Sequence, residues 1–337
     1  MRRSPAGLVA AAGIAVASLA APSLPVAHAT QTQEDQPLQA AGRAASQLTF
    51  SGSLEVTWSD ETGEHQQNLS VQGGNGLVFV QGSTEVMASA QQRLVEHAGG
   101  TWDLLWPVDQ GSEPRPPTDR KYELVSSDGP SLIGRASRLV EVRIGGELLE
   151  RLYLDQATDI LLRREQFEDG EGPYRTVAFD SISFQSGAAP KAPAPIVNMS
   201  PTTIVPNHIP DGVSAPVALA DGYQRVGMYK RTGVTQVVYS DGLYDLSVFQ
   251  QEGRLDHHGL SSATRVQVGR AAGWHYAWPG GHVVLWEAGG TVYTAVSDAP
   301  LDQVLQAVRS VPPARASTSL LSRLRQACRA LIQPLRA

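Results

Sequence analysis

The chain has 337 residues, with 27 basic and 33 acidic side chains, a formal net charge of −6, 42% apolar residues and 18% charged ones. That composition supports a buried core and excludes a disordered tail or a coiled coil, both of which need far more charge. The single cysteine, Cys328, excludes an intramolecular disulfide framework and a thiolate zinc cluster.

Residues 1–29 read as an export signal. Arg2 and Arg3 form a basic start, residues 8–19 are small and apolar, and Ala27-His28-Ala29 supplies a small-x-small cleavage site. The apolar run is too short and alanine-rich for a good membrane span. The mature chain is therefore expected to begin near Thr30 and to fold in the periplasm or an equivalent extracytoplasmic space. Setting aside these two arginines and the five of residues 315–337 leaves 20 basic against 33 acidic groups, a net of −13. An acidic body excludes nucleic acid as partner, since phosphate binding needs a basic face.

Residues 35–47, rich in Ala and Gln, predict a short helix. In the strand that follows, Leu48, Phe50, Leu54, Val56 and Trp58 share one face, and Thr49, Ser51, Ser53, Glu55 and Thr57 share the other. That period of two marks a half-buried antiparallel strand. Further strands are expected at 67–72, 76–81, 137–144, 147–154, 160–168 and 174–183, with Gly145-Gly146 as a hairpin turn. Residues 84–97 and 101–106 look helical, and 107–119 form a proline-bearing loop. Seven prolines between 187 and 216 mark an interdomain connection.

A second β-rich unit follows, with strands at 224–230, 235–240, 243–250, 264–268, 273–278, 282–287 and 291–297. Ser240-Asp241-Gly242, Gly280-Gly281 and Gly289-Gly290 are its turns. Residues 300–310 read as a helix with Asp298 as N-cap and Leu301, Val304, Leu305 and Val308 as its apolar stripe. The pattern is a mainly β, α+β protein. Its segments are a signal (1–29), a first domain (30–186), a linker (187–216), a second domain (217–312) and a tail (313–337).

The usual catalytic spacings are missing: no Gly-x-Ser-x-Gly elbow, His-Glu-x-x-His, Walker loop or Gly-x-Gly-x-x-Gly occurs. His257-His258 reads as a solvated loop pair. His275 and His282 flank a turn and read as a cross-strand pair rather than a zinc site, because no third ligand is suggested. Glu165, Glu168, Asp169 and Glu171 read as a soluble hairpin tip. No cofactor, metal or catalytic residue is expected.

Three stretches together resemble the MucB/RseB regulators of extracytoplasmic-function sigma factors: residues 38–52 (LQAAGRAASQLTFSG), 153–164 (YLDQATDILLRR) and 238–249 with VYSDGL and SVF. In the second, an Asp155-x-x-Thr158 turn leads into a Leu-Leu-Arg strand. The resemblance implies a first domain like the LolA/LolB/LppX carriers, a curved antiparallel half-barrel sheet wrapping helices around an apolar cavity. Its lining would include Phe50, Leu54, Val56, Trp58, Trp102, Leu105 and Trp106. The smaller second domain would be an antiparallel sheet packed with its final helix.

By the same resemblance the chain would bind the extracytoplasmic part of a membrane anti-sigma factor. It would shield that partner from site-1 proteolysis and release it on a lipid-like or misfolded-envelope signal. Tyr239, Ser240, Asp241 and Gly242 would belong to the partner-binding surface. The same cavity fold also suits a lipid or lipoprotein carrier. Residues 60–120 depart from the family pattern, and the ligand stays open.

In residues 317–333, Leu320, Leu321, Leu324, Cys328, Leu331 and Ile332 fall within an arc of about 120° on a helix. Arg325 and Arg329 lie just beyond it. Such a basic amphipathic helix can lie on an anionic membrane through Arg323, Arg325 and Arg329, or dock on the acidic body.

Overall fold

A computed structural model describes residues 36–314, apart from 75–76, 83–115, 169–171, 186–201, 204–208, 232, 257–259 and 261–262. The expected helices at 84–97 and 101–106, His257-His258 and the basic tail lie outside the described residues, as do Trp102, Leu105, Trp106, Arg323, Arg325 and Arg329.

Helix α1 (Gln36–Gln47) precedes the first sheet. The strands of that sheet are β1 (Phe50–Asp60), β2 (Gly63–Gly74), β3 (Leu77–Gly82), β4 (Glu123–Asp128), β5 (Ser137–Ile144), β6 (Glu147–Asp155), β7 (Leu161–Phe167) and β8 (Pro173–Phe184). They run in the order β3-β2-β1-β8-β7-β6-β5-β4, an open antiparallel sheet in which the first and last strands are neighbours in its interior. The alternation in β1 decides which face is buried. Phe50, Leu54 and Val56 are fully buried, and Leu54 and Val56 stand opposite Phe179 and Val177 of β8. Each such side chain contributes roughly 1.5–3 kcal/mol by leaving water. Leu38, Ala41 and Ala45, spaced along one side of α1, are buried as well, and the helix packs against β2 and β3.

Gly52, in the first family-like stretch, has no room for a side chain. A Cβ there would stand 2.1 Å from the Ser181 carbonyl oxygen, next to the register shift between Ser53 and Leu54.

The second sheet also has eight strands: β9 (Thr202–Thr203), β10 (Gln224–Arg231), β11 (Val234–Ser240), β12 (Asp245–Glu252), β13 (Thr264–Val268), β14 (Ala271–Trp278), β15 (Gly281–Ala288) and β16 (Thr291–Ser297). Their order is β13-β14-β15-β16-β12-β11-β10-β9. Helix α2 (Leu301–Arg309) buries Val304, Ala307 and Val308, a stripe at helical spacing. The end of the proline-rich stretch is tied to this sheet, with Ser214 N donating to Gln250 Oε1 (2.8 Å) and Gln250 Nε2 to Ser214 O (2.6 Å).

Three local expectations are corrected. Strands β4 and β9 were not legible: β4 carries only two apolar residues and β9 is two residues long, so the alternation has little to act on. The tight turn between β14 and β15 is Pro279-Gly280, because Trp278 pairs with Gly281. Asp298 does not cap α2; its carboxylate is taken by an arginine of the first sheet, and Pro300 occupies the cap position without a side-chain bond.

Candidate functional site

The residues that join the two sheets come from the ends of strands. On the face carrying Val56, the cross-strand row Val140, Leu152, Arg164, Val177, Val56 is apolar except for Arg164. The neighbouring row Val142, Glu150, Gln166, Arg175, Trp58 is largely polar. One end of an otherwise apolar face is therefore lined with charged and amide groups, and the second sheet closes over it.

Arg164 is the centre of this seam, with its guanidinium fully buried. It donates through Nη2 to Glu150 Oε1 (2.5 Å), through Nε to Glu150 Oε2 (3.1 Å) and through Nη1 to Asp298 Oδ2 (2.6 Å) of the second sheet. Side-chain exposure of the three groups is 0–1%. Gln166 Nε2 donates to Glu150 Oε1 (2.9 Å) and to the Asp298 carbonyl (2.7 Å). Arg175 donates through Nε to the Pro279 carbonyl (2.9 Å) and through Nη1 to Gln166 Oε1.

Burial alone would lower the Arg164 pKa, but Glu150 and Asp298 outweigh it and hold the group above its ordinary value. Arg175 is pushed down to about 10 by burial and by Arg164. Asp298 is raised to about 6 by burial, with Arg164 opposing. Charges taken out of water in this way stay ionised only when paired and hydrogen-bonded.

The second half of the seam is the 239–242 turn. Asp241 Oδ1 accepts from the amides of Leu243 (3.1 Å) and Tyr244 (2.8 Å), an Asx turn that leaves Oδ2 free to face the first sheet. There it accepts from Lys121 Nζ (2.7 Å) and from the Tyr122 hydroxyl (2.6 Å). Lys121 also donates to Asp221 Oδ2 (2.9 Å). Gly242 has φ +102°, a conformation that favours glycine, and a Cβ there would lie 2.6 Å from the Pro116 carbonyl oxygen. Its own carbonyl accepts from Thr118 Oγ1 (3.0 Å). Leu301 N, the first amide of α2, donates to Glu168 Oε1 (3.0 Å), so a first-sheet carboxylate sits at the helix N-terminus.

The structure therefore places Asp241 and Gly242 in the seam, beneath residues 116–122, while Ser240 is buried within the turn, donating to the Tyr244 carbonyl (3.1 Å) and accepting from Gly242 N (3.2 Å). Tyr239 is fully buried one step back in β11, its hydroxyl raised by burial. Asp241 is 3% exposed. Of the expected cavity residues, Phe50, Leu54 and Val56 are core. Trp58 is partly buried and stacks on His65, ring centroids 5.1 Å apart. A shallow cavity of ≈ 560 Å³ lies elsewhere, on β13–β15, lined by Arg265, Ala272, Trp274 and Glu287. Among the described residues no group of three or more His, Cys, Asp or Glu could hold a metal ion. No helix among them is long and apolar enough to cross a membrane.

Arg164, Glu150, Lys121 and Tyr122 were not singled out from sequence, and Asp298 only as a helix cap. Two signals pointed their way: Arg164 closes the second family-like stretch, and Lys121 is one of three lysines in an arginine-rich chain.

The architecture is that of a mainly β, α+β protein with two open antiparallel sheets clasped by buried ion pairs. The chain is similar to solved structures of MucB. MucB alone matches with a TM-score of 0.47 at 17% identity, covering 84% of this chain and 99% of that one. MucB in complex with MucA(peri) matches with a TM-score of 0.41 at 16% identity, covering 84% and 100%. A putative outer membrane lipoprotein-sorting protein domain from Vibrio parahaemolyticus matches with a TM-score of 0.18 at 9% identity, over 47% of this chain and 92% of that domain. No family model matches the chain, and no curated protein does.

Proposed function

We propose that this chain is an exported MucB/RseB-type regulator. It binds the extracytoplasmic segment of a membrane anti-sigma factor, as MucB is seen with MucA(peri), limits that partner's proteolysis and senses a lipid-like envelope signal. Its function is binding rather than catalysis. One observation carries the reading: the three family-like stretches occupy the singular points of the fold. The first spans α1 and the side-chain-free Gly52. The second ends at Arg164, and the third supplies Asp241 and Gly242, so these two contribute to opposite sides of one seam.

The Tyr239–Gly242 turn serves the partner surface by fixing how the two sheets meet. Phe50, Leu54, Val56 and Trp58, with Trp102, Leu105 and Trp106, serve the lipid-responsive side. The basic tail holds the regulator near its membrane-bound partner, each of Arg323, Arg325 and Arg329 adding roughly 1 kcal/mol at an anionic surface. Deleting residues 315–337 should therefore reduce partitioning onto anionic liposomes; unchanged partitioning removes the membrane role.

The deciding experiment is calorimetric titration of residues 30–337 with the extracytoplasmic segment of a membrane anti-sigma factor from the same organism. One-to-one binding with a dissociation constant of about 1 µM or tighter is expected. Absence of binding, with stoichiometric lipid in the purified protein, would establish a lipid or lipoprotein carrier instead.

A further inference from the structure

His275 and His282 stand on β14 and β15, not directly opposite each other: His275 pairs with Val284 and His282 with Ala277. The diagonal placement brings their rings together, and His275 Nε2 lies 3.0 Å from His282 Nδ1. On its other side the His282 ring stacks on Tyr174 of β8, with centroids 5.8 Å apart and planes at 26°. The pair therefore lies in the contact between the two sheets, His282 5% and His275 9% exposed. His282 Nε2 is buried without a hydrogen-bond partner.

Charged and titratable groups face the pair from every side. Arg175 and Tyr174 approach from β8, and Arg175 is linked through Gln166 to Glu150 and Asp298, both bound to Arg164. Asp60, itself 2.9 Å from His65, and Glu61 approach His275 from the β1–β2 hairpin. Glu61 accepts from Thr264 Oγ1 (2.9 Å), and Thr264 stands opposite His275 in β13.

A nitrogen–nitrogen contact of this length needs a proton on one ring and a lone pair on the other. Protonating both rings removes the acceptor and sets two cations beside Arg175. We propose that the His275–His282 pair is an acid-sensitive clasp, at which the two sheets part locally as the pH falls below neutral while each sheet stays folded. The inference concerns this chain alone and does not rest on the partner assignment.

The linkage has a definite sign. Burial, then His275 and Arg175, hold His282 down at about 3, and burial lowers His275 although Glu61 and Asp60 oppose it. An exposed imidazole titrates near about 6.5. The opened form therefore binds more protons than the closed form below that value. Closure is at full strength above about pH 6.5 and weakens as the pH falls, by up to about tenfold per pH unit for each histidine. Asp298 acts in the opposite sense. Raised to about 6 by burial, it takes up a proton more readily when closed and offsets one histidine between about pH 6 and pH 4.

The test uses the full chain carrying Cys328→Ser and spin labels at exposed Ser59→Cys and Arg270→Cys, one on each sheet. Distances are measured by pulsed dipolar spectroscopy at about pH 7.5 and about pH 5, where only the perturbed histidines and Asp298 should change the balance. The opened, longer-distance population should rise at least about tenfold at the lower pH, with circular dichroism unchanged. His282→Asn and, separately, His275→Asn should each cut the rise severalfold and the double variant should abolish it, so a folding failure in one variant leaves the others to decide. Asp298→Asn should enlarge it. A distance that stays constant with pH, a rise undiminished in the histidine variants, or global unfolding at about pH 5 would each overturn the clasp.

Discussion

Replacing Arg164 with methionine tests whether ion pairing holds the sheets together. Methionine keeps most of the apolar stem volume, so the change is mainly electrostatic. It removes donors at 2.5, 3.1 and 2.6 Å from Glu150 and Asp298 and leaves two carboxylates at 0–1% side-chain exposure facing each other. Breaking a buried pair from one side costs about 3–5 kcal/mol, a large share of the roughly 5–15 kcal/mol that holds a typical domain. The loss should depend on pH. Burial raises Asp298 to about 6 even with Arg164 opposing, so by about pH 5 its carboxyl is neutral with or without Arg164 and the loss should fall to about half. Urea denaturation followed by tryptophan fluorescence at about pH 7.5 and pH 5 reads both quantities. Adding Glu150→Gln and Asp298→Asn to Arg164→Met should restore much of the loss, because the two carboxylates that faced Arg164 are then neutral. A loss below about 1 kcal/mol, or one equal at both pH values, would show that Arg164 does not hold the seam by charge.

Gly242→Ala should destabilise by roughly 2–4 kcal/mol, combining a positive φ of +102° with a Cβ only 2.6 Å from the Pro116 carbonyl oxygen. Thermal unfolding checks it, and an unchanged midpoint would mean that residues 116–118 yield without strain. Asp155→Asn should cost roughly 1–3 kcal/mol near neutral pH. The Asp155 carboxylate accepts from Arg135 Nε (3.0 Å), Arg135 Nη2 (2.9 Å) and Thr158 Oγ1 (2.5 Å). Although burial opposes it, Arg135 and Thr158 hold Asp155 below the ordinary value. Its contribution is therefore complete above about pH 4 and is lost on further acidification, so variant and parent should converge in acid. Denaturant midpoints across that range would show it, and a constant gap would refute the assignment.

Much of the fold can be read from the chain alone. Alternation marks 137–144, 147–154, 160–168 and 174–183, and the sheet has strands at Ser137–Ile144, Glu147–Asp155, Leu161–Phe167 and Pro173–Phe184. Half-buried antiparallel strands must alternate, so their period is written locally. The final helix is legible for the same reason. Strands β4 and β9 were not, since β4 carries only two apolar residues and β9 is two residues long, leaving no alternation to read.

The seam was legible only in part. Asp241-Gly242 announces its turn, because an Asx turn and a positive φ are properties of neighbouring residues. That Asp241 meets Lys121 and Tyr122, that Asp298 abandons its expected cap for Arg164, and that Glu168 comes to lie at the start of α2 depend on residues more than a hundred positions apart. Local rules determine strands, turns and helix faces because their energies arise among near neighbours. Tertiary packing alone decided which charges would be buried together, because burying a charge becomes tolerable only once a distant partner and its hydrogen bonds are in place.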